Sequence, residues 1–256
     1  MSPWLWPNVL SLDAPCVAIV WQLLLARTVA PIPRVQTVVL GLTVWLIYVV
    51  DRILDGLRQA EAGDAPRHRF ARRHRLPLLL AAALGLAANL VLAFRYLEPI
   101  RLERGALLFL LVAAHFLLAH RAAAPWPKEL WTGCIFAAGV WLPALVHRPA
   151  LLPLAVVFAA LCWWNCVAIE AWEHPPEDRA RWHVSTHWLA RHLGPAAIAL
   201  AAVAAGLYAV TGQLAGAAEL LSAGLCYLLH RSAGRLSRNA LRLAVDAALL
   251  TPVLFG

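Results

Sequence analysis

The chain has 256 residues, of which 62% are apolar and 14% are charged, and its formal net charge is +8. Ordinary globular chains contain about 45–50% apolar residues. This excess, together with a mean hydropathy of +0.68, excludes a soluble domain and predicts an integral membrane protein. The positive charge is then explained by the distribution of Lys and Arg on the two sides of a membrane rather than by nucleic-acid binding.

Apolar runs long enough to cross a bilayer predict nine transmembrane helices. A span takes about 20 mostly apolar residues, and charges, prolines and glycines separate the runs. In chain order the runs are 9–28, 35–54, 76–97, 103–120, 128–146, 150–172, 189–210, 213–230 and 240–255. The gaps between them are too short for a soluble domain, so we expect a single all-α transmembrane domain over 1–256.

The basic residues are distributed unevenly between the two sides that this span count defines. One side holds 16 of the 22 Lys and Arg residues, and the positive-inside rule makes that side cytoplasmic. We therefore expect the N-terminus in the cytoplasm and the C-terminus outside. The expected location is a bacterial cytoplasmic membrane.

Two aspartates lie at the cytoplasmic end of the second predicted helix. In WLIYVVDRILDGLR, Asp51 and Asp55 are four residues apart, which places them on one helix face. The C-terminal end of a helix carries partial negative charge and favours basic residues. Carboxylates at this position therefore indicate a bound cation, although contact with interfacial water also explains a single pair of this kind.

A second acidic pair ends the sixth predicted helix on the same side of the membrane. Glu170 and Glu173 are three residues apart in CWWNCVAIEAWEHPPEDR, again on one helix face. The recurrence favours a shared cation site over two solvated surface pairs. Carboxylate oxygens suit Mg²⁺, which typically uses about one or two carboxylates together with substrate phosphates.

Basic residues that suit phosphate lie on the same predicted side as the acidic pairs. The segment PRHRFARRHR, residues 66–75, contains Arg67 and Arg69, and Lys128 opens the fifth predicted helix. Arginine binds phosphate through two parallel hydrogen bonds and lysine as a point charge. An arginine-rich loop that only determines topology is the alternative. A metal–diphosphate site beside apolar helices points to an isoprenyl diphosphate as substrate and to the lipid bilayer as surroundings.

The segment DRILDG, which starts at Asp51, and the lysine before the fifth helix resemble motifs of the UbiA superfamily, the intramembrane aromatic prenyltransferases. The resemblance implies nine helices around a central cavity. It also implies Mg²⁺-dependent transfer of a prenyl group from an isoprenyl diphosphate to a lipophilic acceptor, with Asp51 and Asp55 as catalytic residues and Lys128, Arg67 and Arg69 on the diphosphate. The implied metal ligands are Asp51, Asp55, Glu170 and Glu173.

The sequence departs from the family pattern in both acidic motifs. Ile47 and Tyr48 stand where the family has an asparagine and its first aspartate, and the second motif has only Asn165 and two glutamates. Tyr48 shares a helix face with the first pair, so we expect it to donate a hydrogen bond to the substrate, and Asn165 is a further candidate for substrate binding. The departures support a second hypothesis, a non-catalytic UbiA-like protein that binds a lipid or cofactor or assists assembly of a membrane complex. No protein partner is indicated.

Three other ionisable residues, Asp13, Glu219 and Asp246, lie within predicted spans, where such groups are usually functional or paired. Asp13 precedes Pro15 and suits a helix start as well as it suits chemistry, and Asp246 lies four residues after Arg242, a spacing that suits an ion pair. Glu219 has no such explanation.

The histidines around 183–192 suggest a metal at first sight. His183 and His187 are four residues apart, but Trp182 and Trp188 lie among them. Because tryptophan is enriched at membrane–water interfaces, interfacial anchoring is the better interpretation.

Overall fold

The structure, a computed structural model, describes residues 6–58, 70, 72–121, 126–174 and 176–255. These residues form helices and no strand, which confirms the all-α prediction. The α-helices are α1 (Trp6–Val9), α2 (Asp13–Thr28), α3 (Arg34–Arg58), α4 (Arg75–Tyr96), α5 (Pro99–Arg121), α6 (Lys128–His147), α7 (Leu152–Glu173), α8 (Val184–Arg191), α9 (Leu193–Thr211), α10 (Leu214–Ser232) and α11 (Arg238–Ala247).

Six helical segments in the described part of the chain are long and apolar enough to cross a membrane. They are Arg34–Leu54, Arg75–Tyr96, Pro99–Ala119, Lys128–His147, Pro149–Glu173 and Leu193–Thr211. These segments match the second to seventh predicted spans and support a membrane protein. The first and eighth predicted spans contain α2 and α10, which do not meet the same length and hydropathy. Nine spans and a central cavity therefore stay predictions.

The ninth predicted span is not one continuous helix. Helix α11 ends at Ala247, and a short 3-10 helix follows at Thr251–Phe255. Pro252 lacks a backbone N–H and disfavours the α-helical conformation at the residue before it. Pro252 therefore prevents an α-helix from running through the last part of the apolar run 240–255.

The chain divides into two compact units, and unit 1 comprises Met1–Ile19 and Pro33–Leu102. Helices α3 and α4 pack together in this unit through a small core of Val49, Ile53 and Ala82. Asn89 of α4 donates a hydrogen bond of 2.9 Å to the Oγ1 atom of Thr43 in α3. Such a polar contact between apolar helices joins them where a hydrophobic driving force is weak.

Unit 2 comprises Val20–Ile32 and Glu103–Gly256, and α7 is its central helix. The candidate span that contains α7 is 56% buried, more than any of the other five. The helix is apolar on all sides, which is typical of a core helix, and α6, α8, α9, α10 and α11 pack against it. Trp164 is fully buried in α7 and donates its Nε1–H to the carbonyl of Leu193 at 2.8 Å. This hydrogen bond joins α7 to the beginning of α9.

Close helix contacts within unit 2 depend on glycine. A Cβ atom at Gly133 of α6 would lie 2.7 Å from the backbone nitrogen of Trp163 and 2.9 Å from the carbonyl oxygen of Ala159 in α7. At the turn between α9 and α10, Gly212 has φ of 63°, in the left-handed region that favours glycine. Gly133 therefore allows α6 and α7, which carry the charged residues of the candidate site, to approach backbone to backbone.

Candidate functional site

Lys128 links two carboxylates at the adjoining ends of α6 and α7. Its Nζ atom donates a hydrogen bond of 2.9 Å to Oε1 of Glu170 and lies 3.5 Å from Oε1 of Glu129. The Lys128 side chain is 51% exposed, whereas that of Glu129 is 5% exposed. A lysine ammonium has three donors, so Lys128 retains donor capacity toward solvent while two carboxylates fix its position.

The buried carboxylate of Glu129 also holds helix α8. Its Oε2 atom accepts a hydrogen bond of 2.7 Å from Oγ1 of Thr186, which is fully buried. A buried charge requires such partners, and this pair ties α8 to the first turn of α6. Neither Glu129 nor Thr186 was predicted from the sequence as a residue of the site. The one available signal was an acidic residue in a first helical turn, where negative charge is favourable.

Basic side chains contact both glutamates of the second acidic pair. His174 Nδ1 lies 3.0 Å from Oε2 of Glu170, and Arg242 Nη1 donates to Oε1 of Glu173 at 3.0 Å. Arg238 contacts the main-chain carbonyl of Glu173 at 3.3 Å. A Mg²⁺ ion bound by these two carboxylates would share their oxygens with a lysine, a histidine and an arginine. The role of the second pair as metal ligand stays a prediction.

His174 is the residue of this cluster that responds to pH near neutrality. The hydrogen bond from His174 to the Glu170 carboxylate raises the pKa of His174 above its ordinary value of 6.5. The carboxylate favours the imidazolium form because it accepts a hydrogen bond from it and carries the opposite charge. Protonated His174 and Lys128 together neutralise Glu170.

Asn165 has a structural partner one and a half turns before Glu170. Its Nδ2 atom donates to Oδ1 of Asp246 at 3.3 Å, and this contact joins α7 to α11. Asn165 is buried. This contact does not test the prediction that Asn165 binds a substrate.

In unit 1, the arginine of the DRILDG segment, Arg52, is buried and has partners of its own. Arg52 is 5% exposed, and its Nη1 atom donates to the carbonyl of Asn8, while Nη2 lies 3.6 Å from Oδ2 of Asp13. Asp13 is the first residue of α2, and its Oδ1 atom accepts from the backbone N–H of Ala14 at 3.1 Å. The helix-start interpretation of Asp13 is thus confirmed, with an added ion pair to Arg52.

The other residues predicted for the first motif are described only in part. Tyr48 and Asp51 are half-buried side chains of α3. Asp55 lies in the same helix, but the position of its side chain lies outside the described part of the structure, as do Arg67 and Arg69 entirely. Within the described part, no group of three or more His, Cys, Asp or Glu side chains is arranged to hold a metal ion. The predicted metal and phosphate ligands of this motif therefore remain predictions.

The histidines of residues 183–192 have separate local contacts. The side chain of His183 accepts a hydrogen bond from the Ser185 backbone N–H at the start of α8. The ring of His192 stacks on Trp188 with 5.0 Å between centroids, and the ring of His187 lies 5.7 Å from that of Trp182. These contacts indicate that the three histidine side chains pack against their local neighbours around α8.

Comparison with known proteins adds no relative to this picture. No protein-family model, no curated protein and no solved structure matches the chain. The class that the structure supports is an all-helical membrane protein with a charged cluster at the ends of α6 and α7. The resemblance to the UbiA superfamily rests on DRILDG, on Lys128 and on the placement of the two acidic pairs in the sequence.

Proposed function

We propose that this protein binds an isoprenyl diphosphate and transfers its prenyl group to a lipophilic acceptor within the membrane. The observation that carries the proposal is the exposed ammonium of Lys128, held at 2.9 Å from Glu170 where two apolar helices end. A cation fixed beside apolar helices suits an amphiphile with an anionic head and a hydrocarbon tail. The reaction, prenyl transfer, is inferred from the UbiA-like motifs.

The protein's own groups have distinct parts in the proposed reaction. Lys128 donates to the diphosphate and stabilises the charge that develops on it as the leaving group departs. Glu129 and Glu170 position Lys128, and Thr186 holds Glu129. The apolar helices keep water from the prenyl cation. The UbiA-like resemblance further implies that Asp51 and Asp55 would hold Mg²⁺, which would supply charge neutralisation to a diphosphate.

A second candidate function is binding or complex assembly without turnover. The observation in its favour is that both glutamates of the second pair already contact basic side chains, Glu170 with Lys128 and His174 and Glu173 with Arg242. A site of this kind still admits an anionic lipid at Lys128. In such a site the basic side chains already balance the charge of the second acidic pair.

Ligand-dependent thermal unfolding, combined with a diphosphate-release assay, separates the two candidates. Farnesyl diphosphate with Mg²⁺, added to detergent-purified protein, is expected to raise the melting temperature, because a ligand that binds only the folded state stabilises it by mass action. Lys128→Gln should reduce this shift, and the double change Asp51→Asn with Asp55→Asn should abolish its Mg²⁺ dependence. Arg148→Gln, at an exposed residue beyond the other end of α6, is the matched control and should retain the shift.

Diphosphate release, measured with farnesyl diphosphate, Mg²⁺ and a membrane lipid extract as source of the lipophilic acceptor, then decides between transfer and binding, because the prenyl group must move to an acceptor as the diphosphate leaves. Release that requires Mg²⁺ and is lost in the aspartate double variant supports prenyl transfer. A thermal shift without release supports the binding or assembly function. Absence of a shift with the wild-type protein contradicts the isoprenyl diphosphate proposal.

A further inference from the structure

An open groove runs between α9 and α10 in unit 2, outside the charged cluster. Its volume is about 550 Å³, and its apolar walls include Ile198, Ala199 and Ala202 of α9 and Tyr227 of α10. Helix α9 is one of the six candidate spans. The lining from Gly194 to Ala202 spans nine residues, a rise of about 12 Å along the helix. A groove with these walls on a membrane-spanning helix suits a hydrocarbon chain.

One end of the groove carries positive charge and hydrogen-bond donors. Arg231 is exposed there, and His230 lies beside it with a buried Nδ1 atom that has no hydrogen-bond partner among the described residues. Gly194, in the first turn of α9, lines the same end, and His192 supplies no side-chain cap to that helix. Pro195 in the same turn has no N–H, and Ala196 donates its N–H to the carbonyl of His192, so the N-terminus of α9 acts here through the helix dipole, which favours anions. The polar end of the groove therefore complements a negatively charged headgroup.

We propose that this groove is a binding site for an anionic phospholipid. The phosphate lies against Arg231 and the N-terminus of α9, and one acyl chain follows Ile198, Ala199 and Ala202. A zwitterionic lipid has the same phosphate and acyl chains, but the cationic group of its headgroup would be repelled by Arg231, so the charge at this end favours the anionic lipid. The positive-inside argument predicts that Arg231 lies on the cytoplasmic side of the membrane, where basic residues near the surface attract anionic lipids. This site is separate from the one proposed for the isoprenyl diphosphate.

Native mass spectrometry of the delipidated full-length protein tests the proposal. The probes are phosphatidylglycerol and phosphatidylcholine with identical acyl chains. Wild-type protein should bind phosphatidylglycerol about fivefold more tightly, the size expected for one basic residue near a membrane surface. Arg231→Gln should remove this preference. Arg235→Gln is the matched control because Arg235 is also exposed, lies four residues further along, and does not line the groove.

A second pair of variants tests the apolar part of the groove without changing charge. Ala202→Phe fills the groove and should weaken binding of both lipids, whereas Ala209→Phe, at another exposed position of α9, should not. Both alanines are exposed, so neither change creates a clash in the core. The proposal is overturned if the Arg231 and Arg235 variants keep the same lipid preference, or if the two phenylalanine variants bind equally well. It is also overturned if the wild-type protein does not distinguish the two lipids.

Discussion

Replacing Gly133 with alanine tests whether the backbone contact between α6 and α7 holds the charged cluster in place. The new Cβ would lie 2.7 Å and 3.0 Å from the nitrogen and Cα atoms of Trp163 and 2.9 Å from the carbonyl oxygen of Ala159. These are backbone atoms of a fully formed helix, so no side chain can rotate away to relieve the contact. The two helices must move apart.

The expected cost follows from two opposing effects. Overpacking of a tight contact costs about 1–3 kcal/mol, and replacing a helical glycine with alanine returns about 0.5–1 kcal/mol. The net loss of unfolding free energy is therefore about 0–2.5 kcal/mol relative to the wild type, and about 1–3 kcal/mol relative to a glycine-to-alanine change that meets no clash. For a chain of this size, about 1 kcal/mol changes the melting temperature by roughly 2–4 °C, so a decrease in melting temperature of about 2–12 °C relative to such a control is expected.

Thermal unfolding of the detergent-purified protein, followed by its tryptophan fluorescence, measures this decrease. Gly224→Ala in α10 is the matched control, because a Cβ at Gly224 meets no atom of the described residues within 4 Å. The control should be as stable as the wild type or slightly more stable. If Gly133→Ala is as stable as Gly224→Ala, the close packing of α6 on α7 at Gly133 is refuted.

Three further predictions concern the cluster and the topology. Thr186→Val removes the hydroxyl that donates to the buried Glu129 and should lower the unfolding free energy by about 1–3 kcal/mol. Thr186→Ser keeps a hydroxyl and should not. If a denaturation experiment shows equal losses for the two variants, the hydrogen bond has no role in stability. Because the Glu170 carboxylate raises the pKa of His174 above 6.5, the contribution of this pair to stability should be complete below about pH 6.5 and decline as the pH rises through the raised pKa. Melting temperatures measured over pH 5.5–8.5 should show this decline in the wild-type protein but not in His174→Gln. If both proteins have the same pH profile, the prediction is wrong. Cytoplasmic reporters fused near Ala62 and Gly234 and a periplasmic reporter near Gly212 should be active, and the reverse pattern would overturn the orientation drawn from the basic residues.

The sequence predicted the helical membrane character better than it predicted the partners of the charged residues. Hydrophobic runs depend on local composition, so the six candidate spans fall where the second to seventh predicted spans were placed. The prediction of one continuous helix from hydrophobicity was wrong at 240–255, where Pro252 disfavours the α-helical conformation although the run is apolar.

The charged partners required contacts between residues far apart in the chain. Helical spacing correctly placed Glu170 and Glu173 in the last turn of one helix. It did not predict that Lys128, 42 residues before Glu170, and Arg242, 69 residues after Glu173, would contact them. Spacing within a helix specifies a face, whereas the side chains opposite that face depend on helix packing that a single sequence does not specify.

The hydrogen bond between Trp21 and Leu249 has a consequence for biosynthesis. The indole Nε1–H of Trp21 donates to the carbonyl of Leu249 at 2.7 Å, across 228 residues of sequence, and both groups are buried in unit 2. Helices α9 and α10 are joined by a short turn, so they can pair as soon as both have entered the membrane. The hydrogen bond from Trp21 cannot form until the ribosome has synthesised residue 249. Unit 2 therefore completes its packing only after its other helices have been inserted, and Trp21 needs another partner, lipid or an insertion chaperone, during that interval.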